Sequence, residues 1–437
     1  MKKIFATTVM LLLCLYGHTQ DEVPTQENLQ ARKAFADMKF GIFLHWGIYS
    51  MFAQGEWYMH NANIDWREYE KAASAFYPAR FDAEAWVKAF KDAGARYITF
   101  TTRHHDGFSM FHTEESDFNI VDATPYGRDV LKMLAEECHK QDIMLNLYYS
   151  HLDWRREDYP MGRTGRGTHR DASKANWTTY YRFMNNQLTE LLTRYGKIGA
   201  IWFDGFWDHD QDSIPFDWQL EQQYQLIHKL QPACLVGNNH HVDVHPGEDI
   251  QIFERDVPGQ NTAGYSGQAI SRLPLETCQT MNGMWGYKIK DQDYKSTKDL
   301  IRLLVRTAAK GANLLLNIGP QPNGELPATA LDRLKGIGEW LNGKAGESIY
   351  ATVSGGVTAG DSIVTTMGKG RKAPLYIHVL TDKAMPQISL PLEKKPRRAT
   401  NLTTGSSVKM RKNGKDVVFS PTDMKDNETD YIIKVEF

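Results

Sequence analysis

The chain has 437 residues, 41% hydrophobic and 24% charged, with a formal net charge of −2, an ordinary globular balance that points away from fibrous and disordered classes. Near-neutrality offers nucleic acid no basic field, and the length suits a large barrel with a small added module. The 11 Trp, 20 Tyr and 19 Phe fit a large core or, in a sharper reading, ring faces that pack on sugars.

In chain order, Lys2-Lys3 precede a mostly apolar stretch over 4–16, and Gly17-His18-Thr19 offer small residues for cleavage before Gln20. This pattern predicts a secretory signal peptide over 1–19 and a secreted or periplasmic protein. The apolar run is too short, and too soon followed by polar chain, for a membrane span. Leu13 stands before Cys14 where a lipoprotein signal wants a small residue, so no lipid anchor is expected. Cys138, Cys234 and Cys278 lack the number for a disulfide framework and the spacing for zinc, and are expected to be buried small hydrophobes.

From 39 to 341, β-like apolar runs alternate with amphipathic helical patterns. A strand over 40–44 leads to a helix over 81–93, with Asp82 as N-cap candidate and Gly94 as its stop. Strand 96–101, helix 130–140, strand 143–149, helix 173–195, strand 198–203, helix 220–230 and strand 234–237 follow. After an irregular stretch over 238–296 come helix 297–310, strand 312–318 and helix 328–341. With a β-like run ending at Phe253 this makes about seven strands. The alternation predicts an α/β fold: a (β/α)8-like barrel over 20–345. Beyond 350 helical periodicity ends. Short β-rich pieces at 362–366, 375–380, 387–390, 417–419 and 431–435, divided by Gly, Pro, Asn and Asp, predict an all-β sandwich domain over 350–437.

Chemistry gathers where the strands end. The first ends in His45-Trp46-Gly47, with Glu56-Trp57-Tyr58 on its loop. The second ends in Arg103-His104-His105-Asp106-Gly107, the third in Tyr148-Tyr149-Ser150-His151. The fourth runs through Ala200-Ile201-Trp202-Phe203 into Asp204-Gly205. Catalytic groups of barrels collect at this rim. A metal hydrolase is disfavoured: adjacent His104 and His105 point to opposite sides of an extended chain, and no HxH or HExxH spacing occurs. A carbohydrate site fits better, with imidazoles for hydroxyls, Trp faces for the ring and two carboxylates for glycosidic cleavage.

Seven segments, in order, resemble the α-L-fucosidases of glycoside hydrolase family 29 over about 35–350. They are Phe40 to Gly47, Glu56-Trp57-Tyr58, His104 to Phe108, Trp202 to Gly205, Glu276-Thr277-Cys278, Trp285-Gly286-Tyr287 and Asn317 to Pro320. The resemblance implies a retaining, exo-acting hydrolase of fucosylated oligosaccharides or glycoconjugates that needs no cofactor or metal. It makes Asp204 the nucleophile and His45, His104 and His105 hydroxyl ligands. Trp57 and Trp202 stand around the sugar, and Tyr148 or Tyr149 is the contributing tyrosine. Glu56, Arg255 and Trp285 complete the candidate contacts. Donors around Asp204 are expected to hold its pKa low, since a nucleophile must be ionised. The acid/base is ranked: Glu254 first, Glu276 second, Glu56 third, Glu248 behind. A barrel glycosidase for another sugar, and a fucose-binding protein without an effective acid, are the alternatives. The oligomeric state is open.

Overall fold

The apolar runs become the staves of a barrel. The computed structural model describes residues 23–437, and the expected signal peptide with Cys14 lies outside the described residues. Eight parallel strands stand in the order β5-β4-β3-β2-β1-β8-β7-β6. They are β1 (Phe40–Leu44), β2 (Tyr97–Arg103), β3 (Met144–Ser150), β4 (Ala200–Asp204), β5 (Leu235–Asn239), β6 (Gln251–Glu254), β7 (Leu275–Thr280) and β8 (Asn313–Ile318). Between β5 and β6 the ladder shrinks to one parallel bridge, Gly237 to Ile250, so the barrel is nearly closed.

Seven longer helices accompany the strands: α1 (Gln26–Met38), α2 (Ala83–Asp92), α3 (Val130–Lys140), α4 (Trp177–Arg194), α5 (Leu220–Leu230), α6 (Thr297–Ala309) and α7 (Ala328–Leu341). Local signals set their ends. Asp82 accepts from Ala85 N to start α2, and Gly94, at φ +90°, turns the chain toward β2. Helix α4 starts later than expected because Asn176 caps it, while residues 172–174 form a separate 3-10 turn behind Asp171. Among the described residues no helix separates β5 from β6 or β6 from β7. Irregular segments over 240–250 and 255–274 take their place. Strand β7 was not expected, because Glu276, Thr277, Gln279 and Thr280 hide its β pattern.

Period-two alternation divides each strand. Ile42, Ile98, Leu147, Tyr149, Ile201, Phe203 and Leu316 pack outward under the helices, each contributing about 1.5–3 kcal/mol when fully buried. Phe43, Tyr97, Tyr148, Trp202, Ile252 and Cys278 fill the interior. Cys138, Cys234 and Cys278 are buried free thiols.

After α7 come two antiparallel sheets. One has the order β13-β16-β11-β10-β9 and the other β12-β15-β14. The strands are β9 (Val353–Ser354), β10 (Ile363–Met367), β11 (Leu375–Val379), β12 (Ile388–Pro391), β13 (Arg398–Asn401), β14 (Lys409–Asn413), β15 (Asp416–Ser420) and β16 (Tyr431–Glu436). Ile377 and Val435 of one sheet meet Leu390 and Phe419 of the other in a single apolar cluster, which makes a sandwich. Arg302 on α6 joins it to the barrel by donating to Thr381 O and Glu428 O, both at 3.0 Å. The short or polar strands β9, β13 and β14 escaped the sequence reading.

Candidate active site

All eight strands deliver their C-terminal ends to one rim, which is what a parallel barrel dictates. Register sets Tyr148 beside Trp202, Asp204 beside Asn239, and Glu254 beside Cys278. These residues line a cleft of about 540 Å³. A larger hollow of about 840 Å³, between α1 and α5, gathers no comparable set of groups, so size does not select the site.

Asp204 ends β4 at the cleft wall, 9% exposed. Its Oδ1 accepts from Gly205 N at 2.9 Å, Trp207 Nε1 at 3.0 Å and, more loosely, Asn239 Nδ2 at 3.4 Å. Among the described residues its Oδ2 accepts only from Tyr148 OH, at 3.0 Å, and faces His105 Nε2 at 3.6 Å. Oδ2 is therefore the more lightly held of the two oxygens. Gly205, at φ +101°, makes the turn that brings the Trp207 indole back onto Asp204. The expectation of a low pKa is corrected here: burial first, then the charge of Glu254, push Asp204 up to about 6, against Trp207, His241 and Tyr148. The imidazoles of His45, His104 and His105 add nothing to that opposition, because burial keeps them neutral.

Glu254 ends β6 across the cleft. Its Oε2 takes Asn239 Nδ2 at 2.8 Å and meets His241 Nε2 at 3.0 Å. Burial works to raise its pKa, but His241, Asn239 and Arg255 outweigh it and hold Glu254 below the usual glutamate value. Oε1 faces Arg255 Nε at 3.9 Å, beyond hydrogen-bond distance.

The histidines form the deep end. Asn317 gives its Nδ2 proton to Trp285 O at 2.7 Å and so presents Oδ1 to His45 Nδ1, also at 2.7 Å. Ser150 gives its proton to Leu152 O at 2.7 Å and therefore accepts from His105 Nδ1 at 2.7 Å. In both neutral rings the proton sits on Nδ1, leaving Nε2 as an acceptor for a hydroxyl. Burial enforces neutrality, pushing His45 down to about 3 and His104 and His105 well below the ordinary histidine value. His104 lies flat on Tyr148, ring centroids 5.3 Å apart at 10°.

Aromatic walls complete the cleft. Trp57 stacks on Trp207 at 5.6 Å, and Trp285 stands 5.3 Å from the His45 ring with Arg255 over its own face at 5.1 Å. Glu56 lines the cleft and accepts from Gly286 N at 2.7 Å, while burial raises its pKa.

Three candidates fall outside the cleft. Tyr149 points outward and donates to Gln187 Oε1 at 2.7 Å, because it alternates with Tyr148 on one strand. Glu276 points inward but lies beneath the cleft floor, fully buried, accepting from Tyr97 OH at 2.6 Å and Trp202 Nε1 at 2.9 Å. It cannot reach a glycosidic oxygen from there. Glu248 is also buried elsewhere, with His240 at 2.8 Å. Asn239, Trp207 and His241 belong to the site and were missed. Trp207 is only three positions past Asp204, and Asn239 ends a strand read as stopping at 237.

The family model of alpha-L-fucosidase matches residues 11–346. Alpha-L-fucosidase of Dictyostelium discoideum is similar at 30% identity over 80% of this chain and 79% of that protein. Alpha-L-fucosidase isoenzyme 1 from Paenibacillus thiaminolyticus superposes with TM-score 0.82 at 30% identity, covering 94% of this chain and 99% of that one. A Bacteroides thetaiotaomicron alpha-L-fucosidase, trapped as a covalent intermediate with 2-fluoro-fucosyl fluoride, shares the fold with TM-score 0.80 at 24% identity, covering 93% and 95%.

Proposed function

The chain belongs to the alpha-L-fucosidase family, and from that membership we propose that Asp204 and Glu254 are the catalytic pair of a retaining, exo-acting α-L-fucosidase. The single observation that carries the pairing is Asn239, whose amide nitrogen lies 3.4 Å from Asp204 Oδ1 and 2.8 Å from Glu254 Oε2. Those oxygens are then no more than ~6 Å apart, compatible with the ~5–5.5 Å of retaining pairs.

In the first step Asp204 Oδ2 forms a bond to the anomeric carbon while the bond to the leaving oxygen breaks, and Glu254 Oε1 gives that oxygen its proton. In the second step water attacks the same carbon, Glu254 takes the water's proton, and Asp204 leaves. Neutral His45 and His105 accept hydrogen bonds from sugar hydroxyls at Nε2. The Trp207, Gly205 and Tyr148 donors hold Asp204 in line. A cleft floored by His45, His104 and Tyr148 suits one terminal sugar, with the glycan leaving past His241.

Glu254→Ala tests the pair. Turnover of an unactivated fucoside should fall at least ~10³-fold and azide should restore part of it as a fucosyl azide. Azide rescue of Glu276→Ala in its place would overturn the assignment. An Asp204→Gly protein that keeps wild-type turnover would overturn the nucleophile.

Export and domain division belong to the same proposal. Lys2-Lys3 and the apolar stretch before Gln20 support a secreted or periplasmic protein. The change of texture near 345–350 supports a catalytic barrel followed by a separate sandwich domain.

A further inference from the structure

The near-neutral total conceals one strongly polarised segment. Between Lys394 and Lys415 the chain carries eight Lys and Arg residues and no Asp or Glu. Lys394, Lys395, Arg397 and Arg398 lead into and open β13. Lys409, Arg411, Lys412 and Lys415 lie on β14 and its hairpin turn. All eight are exposed.

The fold brings the two groups together. Thr400 and Ser407 form an antiparallel bridge, and Val408 N donates to Ala399 O at 2.9 Å. This sets the start of β14 beside β13, with Lys409 next to Arg398. Among the described residues none of the eight has an ion-pair partner, whereas Lys383 and Lys434 of the same sandwich pair with Asp426 and Glu347. The acids in register with the segment are Glu436, opposite Arg398, and Asp416, opposite Asn413. The Asp416 carboxylate already takes the Ser389 hydroxyl at 2.8 Å. Among the described strands β14 ends its sheet, pairing with β15, and none of the eight lines the cleft.

We propose that this edge of the sandwich is a docking surface for a sulfated glycan chain. Lys409 and Arg411 share the outer face of β14 about 7 Å apart, with Arg398 beside Lys409 on that face, a row along which an extended polyanion can lie. Lys ammonium and Arg guanidinium groups both pair well with oxyanions that stay charged at every working pH. The stretch contains no Trp, Tyr or Phe, so it lacks the stacking platforms that hold single-stranded nucleic acid and the ring faces that hold neutral sugars. None of the large exposed hydrophobics falls in it, so it lacks apolar anchors for a lipid surface. The choice of a glycan rests on the fucosidase reading: a sandwich that holds a sulfated glycan keeps the barrel near the fucosylated ends of the same material.

Heparin, desulfated heparin, single-stranded DNA and phosphatidylserine vesicles are the probes, each titrated against the full chain at several salt concentrations. Heparin should bind, and its log affinity should fall linearly with log salt. Desulfated heparin, DNA and vesicles should bind at least tenfold more weakly. The variant Lys394→Ala/Lys395→Ala/Arg411→Ala/Lys412→Ala should lose at least tenfold in heparin affinity with a shallower salt slope, while its aryl α-L-fucoside turnover is unchanged. That turnover reads the cleft alone, so failure of the fucosidase reading shows there and failure of the docking surface shows in heparin binding. Equal heparin affinity of variant and wild type overturns the proposal, as does tighter binding of DNA or vesicles. No heparin binding, together with self-association of the variant in size-exclusion chromatography, also overturns it: the charges would then only keep a bare edge strand from pairing with another chain.

Discussion

Asp204 and Glu254 share one donor: the Asn239 amide reaches both carboxylates, at 3.4 and 2.8 Å. One neutral side chain thus fixes the separation of the pair without adding charge between them. Asn239→Ala should lower kcat about 10²-fold, in the range for loss of one preorganised donor, with a smaller effect on KM. Asn239→Asp places a third carboxylate between the two, so it should cost more and move the pH optimum upward, since like charge raises both pKa values. Steady-state kinetics on an aryl fucoside across pH checks both.

The pH profile follows from the same pair. In the proposed mechanism Asp204 is ionised and Glu254 protonated, so the reactive state carries one proton between them. The charge of Glu254 helps push Asp204 to about 6, while His241 and Asn239 keep Glu254 low, so in the empty cleft that proton rests chiefly on Asp204. The last proton leaves the pair near pH 6, and kcat/KM should fall as pH rises through about 6. In Glu254→Gln, assayed with a good leaving group, this basic limb should vanish. Activity should instead rise with pH through a midpoint below 6, because the repelling charge is gone.

Glu276 has a different part. It holds the indole of Trp202, a wall of the cleft, together with Tyr97. Burial pushes its pKa from 4.5 to about 7. A folded-state pKa above the unfolded one gives stability that is complete below pH ~4.5 and is lost as pH rises through about 7, here about 3 kcal/mol. Glu276→Gln keeps a partner for either hydroxyl or indole but cannot titrate. Its denaturation free energy should lack this loss between pH ~4.5 and ~7, and its kcat should stay within about tenfold of wild type.

How far the sequence was legible depended on polarity. Strands such as β1 and β4 are apolar on both faces, so runs ending at Leu44 and Phe203 stand out. Strand β7 alternates Glu276, Cys278 and Thr280 inward with Thr277 and Gln279, and nothing local distinguishes it from a loop. The Tyr148-Tyr149 choice needed the register, because one residue of slip exchanges inside and outside. Asn239 fell in the stretch read as irregular from 238 on, although in β5 it extends the ladder beside Asp204. The Asp204 pKa was misjudged because counting nearby donors ignores burial. A histidine looks cationic in a sequence, and His45, His104 and His105 lose that charge only when packed among rings.

His241 is where the missed residues bear most on turnover. It sits in the irregular segment after β5 at φ +66°, its ring 5.2 Å from Tyr265 and its Nε2 on Glu254 Oε2. In the empty cleft it favours ionised Glu254, the wrong form for the first step. Removing it with His241→Ala should raise the Glu254 pKa and shift the shared proton toward Glu254, so the basic limb of kcat/KM should move above 6. The gain is opposed by a looser carboxyl, so kcat at the optimum should fall even as the optimum rises. A pH profile of this variant that superposes on the wild type would mean that His241 only packs against Tyr265 and does not govern the acid.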